Sequence, residues 1–357
     1  MVTIGIDARF YGTEHTGLGR YTKNVLLHLV KLLPGHKLVI FLRDPYYDSL
    51  KLGRGVKKIR SNLSHYSARE QLVLPRLISQ HKIDLWFSFH FIIPIFSGVK
   101  KVTVIHDLIK TFSTGSDTTT RSPWLYRLKR WGYNLVMKKA VRDSLSIIVP
   151  SNSVKNDILS YFNERPEKIY PIWEAPDLSL QSFKKAKGVP AKLPKEFLLY
   201  VGNAYPHKNL AILLQALHSM KTKHLVIVAS MTPYLTKLMH NLDPKTRKRV
   251  HILSSITDQE LGYLYKHASA LIAPSLMEGF GLPGLEALVM GTPVVASDIP
   301  VFREVYGSSA TYFDPSSAKD LVRAVGARSS LPFSYSRTWE TVASDIAEVI
   351  RESCASL

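Results

Sequence analysis

The stretch that most limits what this chain can become runs from Pro274 to Ser297: Pro-Ser-Leu-Met-Glu-Gly-Phe-Gly-Leu-Pro-Gly-Leu-Glu-Ala-Leu-Val-Met-Gly-Thr-Pro-Val-Val-Ala-Ser. The apolar residues 270–273 before it read as a buried strand. Gly279, Gly281 and Gly284 then fall within six residues, with Pro283 among them. Helix formers follow from Glu286 to Met290 and are stopped by Gly291 and Pro293. Val294 to Ser297 reads as the next strand. Strand, glycine loop, helix and strand make an α/β unit, and its loop lies at the edge where open α/β sheets bind ligands.

That layout has a chemistry. Gly279 and Gly281 lack side chains, which lets backbone N–H groups approach a ligand. Pro283 suits a first helical turn, and a helix N-terminus favours an anion such as phosphate. Two acids, Glu278 and Glu286, share the stretch. Each is read as an acceptor for paired hydroxyls, as a ribose diol or a hexose offers. An alternative reading of Glu286 is a first-turn acid that only complements the helix dipole. The combination describes a site for phosphate flanked by two polyols, that is, a nucleotide-diphospho-sugar.

Glu278 and Glu286 have the spacing Glu-x7-Glu, and Glu-Gly-Phe-Gly-Leu-Pro-x-x-Glu-Ala resembles the signature of the family 4 glycosyltransferases of GT-B fold. The resemblance implies that Glu278 contacts the donor sugar, that Glu286 binds the ribose, and that the amides of Gly279, Phe280, Gly281 and Leu282 hold the diphosphate. It covers nearly the whole chain. It implies two Rossmann-like domains with parallel sheets facing a cleft, retention at the anomeric carbon, and no cofactor or bound metal.

Composition narrows the setting. A length of 357 residues suits two domains. The apolar content of 45% excludes a disordered chain. The single cysteine, Cys354, excludes an internal disulfide and points to a reducing, cytoplasmic setting. The N-terminal residues read as a strand rather than a leader, and no apolar run is long enough to span a bilayer. The net charge of +19 is uneven. Residues 1–170 hold 27 Lys/Arg against 12 Asp/Glu, a net +15, which leaves +4 for the remainder. Such a field attracts acidic partners.

In the first half, Val2 to Asp7 reads as a strand, residues 12–19 as a loop, and residues 20–33 as a helix. Gly17-Leu18-Gly19 followed by Arg-Tyr lacks the third glycine of a dinucleotide fingerprint, because Thr22 stands there. The string resembles the first-domain glycine loop of family 4 enzymes, which implies an acceptor-side role for Gly17, Leu18 and Gly19; a plain turn is the alternative. Residues 70–81 read as a helix with Leu72, Leu77 and Ile78 inward. His106 and Asp107 end the strand 101–105, at the ligand edge of a parallel sheet. A His there can be structural, but the family resemblance implies that His106 contacts the donor sugar and Asp107 lines the acceptor pocket.

Residues 121–142, from Arg121 to Arg142, read as a basic, aromatic helix. Leu128, Trp131 and Leu135 share one face, and Arg127, Arg130 and Lys138 another. Two readings stay open: a helix lying on anionic lipid near a membrane-linked acceptor, or one packing its apolar stripe on the sheet. No nucleic-acid-binding motif accompanies the basic residues.

The second half opens with a strand ending at Gly202, followed by Asn203, His207 and Lys208. A cation after the first strand of a nucleotide domain can neutralise charge developing on a leaving phosphate. Lys208 resembles the lysine of the family's diphosphate grip. Asn203 stands where many members have Arg, and His207 where Arg often precedes the Lys, so one cation is absent or His207 supplies it when protonated. The resemblance implies base binding by the backbone near Ile256. Thr257 to Glu260 reads as a capping box.

The domains expected are 1–175 on the acceptor side, a linker over 176–195, 196–335 for the nucleotide-sugar, and a helix over 336–357 crossing back to the first domain. The activity expected is transfer of a hexose to a hydroxyl of a glycan or lipid-linked acceptor by a cytoplasmic, peripheral membrane enzyme. The donor would be GDP-mannose or a UDP-sugar. Residues 174–177, Glu-Ala-Pro-Asp, resemble mannosyltransferases of surface-polysaccharide assembly, which favours GDP-mannose. A sugar-nucleotide epimerase and a non-catalytic binding protein on the same fold are the alternatives.

Overall fold

The computed structural model describes the chain except residues 13, 15, 54, 113–122, 183–192 and 329–331. Two compact units form. One holds the described residues within Met1–Thr111, Arg121–Glu174 and Arg337–Leu357; the other is chiefly Ala175–Ser336. The expected linker therefore lies partly outside the described residues. Its beginning, the 3-10 turn Leu178–Ser182, is part of the second unit: the Leu180 carbonyl packs so closely on Gly262 that a Cβ there would collide with it.

The first unit is a parallel sheet of β1 (Thr3–Asp7), β2 (Lys37–Leu42), β3 (Val56–Arg60), β4 (Leu85–Ser88), β5 (Lys100–Val104), β6 (Ser146–Val149) and β7 (Ile169–Pro171), in the order β3-β2-β1-β4-β5-β6-β7. Ile4 pairs with Leu38 on one side and Leu85 on the other, so β1 is central. Its apolar run Ile-Gly-Ile is buried throughout, as a strand covered on both faces requires. The order reverses between β1 and β4, and a crevice forms outside their carboxyl ends in such sheets. The helix Thr16–Leu32 buries Tyr21, Val25 and Leu29 at helical spacing and packs against the last helix, Trp339–Ala355. Arg351 Nη1 donates to Leu32 O at 3.0 Å, and Ser353 and Ser146 share a hydrogen bond of 3.0 Å.

Two expectations need correction here. Residues 16–19 belong to the first turn of that helix rather than to a loop, because neither Gly17 nor Gly19 takes a positive φ. The helix expected at 70–81 is Ala68–Gln80, capped by Ser67, and Leu72 is 58% exposed. Its inward face is Glu70, Leu74 and Ile78, spaced four apart, with Leu77 half-buried beside them. Leu72 lies two residues from Glu70 and Leu74, on the opposite side of the helix.

A buried charge explains that register. Arg9, just past β1, is 1% exposed. Its Nε and Nη2 donate to the two Asp7 carboxylate oxygens at 2.7 and 2.6 Å, and Nη2 donates to Glu70 Oε1 at 2.6 Å. Burial works against the Asp7 charge, but Arg9 outweighs it and holds the carboxyl below its usual range. The Tyr66 N–H donates to the other Glu70 oxygen at 3.0 Å, tying the preceding loop to the same point. A carboxylate so placed turns a polar residue inward where hydrophobic periodicity alone would turn it out.

The helix Pro123–Asp143 has two apolar sides. Met137, Ala140 and Val141 are buried. Trp124, Leu128, Trp131 and Leu135, spaced four, three and four apart, form a second stripe that is exposed, each tryptophan by 64%. The stripe therefore does not pack on the sheet.

The second unit repeats the plan with β8 (Phe197–Val201), β9 (His224–Val228), β10 (Val250–Leu253), β11 (Ala270–Ala273), β12 (Val294–Ser297) and β13 (Ala310–Phe313), in the parallel order β10-β9-β8-β11-β12-β13. Here the reversal lies between β8 and β11. The helix Leu282–Val289 follows β11 and is buried along most of its length, which suits its run of Leu and Ala. The capping box expected at Thr257–Glu260 is formed.

Candidate active site

The carboxyl edge of the second sheet gathers most of the candidate residues. After β8, Gly202 takes φ 140°, which lets the chain turn sharply across the strand end. Asn203 follows, and the 3-10 turn Pro206–Lys208 ends at Asn209, whose left-handed conformation starts the helix Leu210–Ser219. After β11, the Leu276 N–H donates to His207 O at 2.8 Å, so the two loops are stitched together. The His207 ring stacks beside Tyr205 at 5.8 Å.

That stitching brings two candidates together across 70 residues of chain. Lys208 Nζ lies 2.5 Å from Glu278 Oε1, and Ser275 Oγ donates to the same oxygen at 2.7 Å. A charge-assisted contact between half-buried groups holds both heads at the strand ends. The pair can do two things with one substrate: the cation can face a phosphate, and the carboxylate can accept sugar hydroxyls.

Glu286 lies elsewhere in the same element. The helix begins at Leu282, so Glu286 is its fifth residue and not a first-turn acid. It is 7% exposed, and Tyr265 Oη donates to its Oε2 at 2.8 Å. A dipole-complementing surface acid would not be enclosed this way. Phe280 is buried, 3% exposed. Gly281 takes φ 95° as the residue that opens the helix, and Leu282 and Pro283 occupy the first turn, half-buried. Ile256 is half-buried just after β10, before the capped helix Asp258–His267.

The first sheet presents its own carboxyl edge. Past β5, His106 Nε2 lies 3.0 Å from Phe89 O, and Nδ1 lies 3.4 Å from Glu174 Oε1. Burial disfavours the charged ring, but Glu174 and the Phe89 carbonyl outweigh it and raise the pKa. Both ring nitrogens thus face protein acceptors, and a sugar hydroxyl at His106 has to compete with one of them. Asp107 Oδ1 accepts the Ile109 N–H at 2.9 Å and so caps the short helix Ile109–Phe112. Gly17 is exposed, Leu18 half-buried and Gly19 buried at the start of their helix.

Sequence reasoning missed several neighbours of these residues. His90 follows β4, beside Phe10, Tyr66 and Phe91, with burial and the nearby His106 charge holding its pKa well below the usual value. Ser275, Tyr265 and Tyr306 were also passed over. Ser275 lies inside the signature stretch and was legible as a hydroxyl three residues from Glu278. The tyrosines lie 21 residues before Glu286 and 25 after Gly281, with nothing local to mark them.

Comparisons with known proteins agree with this architecture. Residues 15–179 match the family described as Glycosyltransferase Family 4, and residues 182–332 match Glycosyl transferases group 1. The chain is 27% identical over 333 residues to the O-antigen chain mannosyltransferase RfbU of Salmonella typhimurium, covering 91% of each. Its fold is similar to that of sucrose-phosphate synthase from Thermosynechococcus elongatus, with a TM-score of 0.71, 18% identity and all of both chains covered. It is also similar to HepE of Anabaena in complex with UDP-glucose, with a TM-score of 0.67, 15% identity and the same coverage. With its two parallel-sheet α/β units and these relatives, the chain is a hexosyltransferase and belongs to the family 4 glycosyltransferases of GT-B fold.

Proposed function

We propose that this enzyme moves mannose, with retention, from GDP-mannose to a hydroxyl of a glycan or lipid-linked acceptor in surface-polysaccharide assembly. The observation that carries the reading is the Lys208–Glu278 contact at 2.5 Å beside the glycine loop, at the ligand edge of the second sheet. RfbU, named as an O-antigen chain mannosyltransferase, supports the choice of sugar and process. Glu278 accepts sugar hydroxyls, Lys208 faces the diphosphate with the amides of Gly279 to Leu282, and Glu286, oriented by Tyr265, accepts the ribose diol. Gly202, Asn203 and His207 line the phosphate side, and Ile256 the base. No side chain serves as nucleophile: the departing diphosphate takes the acceptor proton on the same face of the sugar. Asn203 brings no charge, so Lys208 is the cation that stabilises the leaving group. Acceptor binding belongs to the first unit, through Gly17, Leu18, Gly19 and Asp107, with His106 meeting the sugar.

Donor binding tests this. Glu286→Ala is expected to weaken GDP-mannose binding about 10–100-fold by calorimetry, the size of losing hydrogen bonds to a charged group. Unchanged affinity would remove Glu286 from the ribose.

A lipid-linked acceptor places the enzyme on a membrane, as a peripheral protein at the inner face of the plasma membrane. No helix among the described residues is long and apolar enough to cross one. The exposed Trp124, Leu128, Trp131 and Leu135 stripe is flanked by Arg127, Lys138, Lys139 and Arg142, the arrangement of a helix lying in an anionic interface. The enzyme is expected to co-sediment with phosphatidylglycerol vesicles and not with phosphatidylcholine ones. Trp124→Ala with Trp131→Ala should abolish this. Equal binding to both vesicles, or full binding by the double variant, rules this helix out as the membrane contact.

A further inference from the structure

The inner side of the glycine loop is filled by the protein itself. A Cβ at Gly281 or at Gly284 would collide with Tyr306 Oη, and one at Gly281 also with the Phe302 ring. Both aromatic residues come from the next helix, Pro300–Tyr306, and are stacked with ring centroids 4.9 Å apart. These two glycines are therefore required by the aromatic floor beneath the loop. Room for a ligand on the outer side does not by itself require them.

That floor does more than fill space. Tyr306 is 1% exposed, and its Oη donates to Gly281 O at 2.6 Å. The same carbonyl accepts the N–H groups of Gly284 and Leu285 at 3.1 and 3.3 Å. In a planar trans peptide the C=O and the following N–H point in opposite directions. Fixing the Gly281 carbonyl inward therefore fixes the Leu282 N–H outward. Leu282 is the first helical residue, whose N–H has no acceptor within the helix and is suited to an anion. Burial, with the Glu278 charge adding to it, holds the Tyr306 phenol well above its usual pKa, so it remains a donor at physiological pH.

We propose that Tyr306 is a positioning residue whose hydroxyl sets the Gly281–Leu282 peptide plane and so aims the Leu282 amide at the donor diphosphate. The inference rests on the donor site proposed above. It goes further by assigning control of the phosphate-facing amide to a phenol that is 1% exposed and hydrogen-bonded to the loop.

The experiment compares a ligand with phosphates and one without. Binding of GDP and of guanosine is measured by calorimetry for the wild type, for Tyr306→Phe and for Phe302→Leu. Tyr306→Phe keeps the ring and removes the hydroxyl. It is expected to weaken GDP about 5–10-fold, a factor converted from one hydrogen bond of about 1–1.4 kcal/mol, and to leave guanosine unchanged. Phe302→Leu removes packing from the same floor and is expected to lower the melting temperature with the GDP-to-guanosine ratio unchanged. An unaltered ratio in Tyr306→Phe, whether neither ligand or both are affected, overturns the positioning role, as does an equal change of ratio in Phe302→Leu. Wild-type enzyme that binds GDP no better than guanosine overturns the donor site itself, and the inference with it. Should Tyr306→Phe not fold, Tyr306→Trp, which keeps a buried ring but puts no hydroxyl on Gly281 O, replaces it with the same ratio as readout.

Discussion

Lys208→Ala is expected to lower kcat about 10²–10³-fold with GDP-mannose, the loss seen when one preorganised group at a developing anion is removed. The geometry makes the effect large for two reasons. Lys208 is held by the turn Pro206–Lys208 and by Glu278 at 2.5 Å, so it is in place before the charge develops. Its removal also leaves the half-buried Glu278 carboxylate with the Ser275 hydroxyl and no cation, which misplaces the group proposed to hold the sugar. The two losses are not independent, so Glu278→Ala should add less in the Lys208→Ala background than in the wild type. Steady-state kinetics of the two single variants and the double variant measure this. Wild-type kcat in Lys208→Ala excludes the cation from the chemistry, and strictly additive effects exclude the coupling.

Glu70→Ala should destabilise the first unit by about 3–5 kcal/mol, as expected when one partner of a buried ion pair is removed. Arg9 is enclosed, and Asp7 and Glu70 are the acids on its guanidinium. Among the described residues its Nη1 has no hydrogen-bond partner, so little polar surrounding is available there to compensate. Loss of Glu70 also releases the Tyr66 N–H and with it the loop before the helix Ala68–Gln80. Replacing all three charges together, Asp7→Leu with Arg9→Met and Glu70→Leu, should recover part of the loss, because no buried charge is then left to be offset. Arg9→Met with Glu70→Leu alone would strand the buried Asp7 carboxylate. Urea unfolding followed by tryptophan fluorescence reads the midpoint of this unit, which contains the fully buried Trp86. A Glu70→Ala unfolding free energy within about 0.5 kcal/mol of wild type, the size of a surface substitution, would falsify the claim that this triad secures the carboxyl end of β1.

The parts that could be read early share a physical trait. The strand, loop, helix and strand around 274–297 announce themselves through apolar runs, glycine positions and helix formers only a few residues apart. The capping box at Thr257–Glu260 is likewise local, since donor and acceptor lie three residues apart. Lys208 and Glu278 were both singled out, each from its own loop, but their contact was not. On the helix Ala68–Gln80, Ile78 and Leu77 face the core as their spacing predicts, but counting leucines also turns Leu72 inward, where the structure puts Glu70 and its ion pair with Arg9. The alternatives for residues 121–142 could not be separated in advance, since the helix carries apolar residues on two sides and periodicity does not say which one is covered.

Chain chemistry alone thus determined an α/β unit around 274–297, a length suited to two domains, the signature loop with its two acids, and a basic first half; the two parallel-sheet domains were implied by the family resemblance that loop carries. Tertiary structure decided the rest. It turned Glu286 inward onto Tyr265, set Glu174 against His106, left the tryptophan stripe exposed, and placed Tyr306 under Gly281, which had looked cleared for a ligand. The reason is the range of the forces that specify each. Helix and strand periods and turn preferences act over a few residues and are written in consecutive letters. A buried carboxylate or phenol is placed by a partner 21 to 70 residues away, and that distance vanishes only when the sheets close.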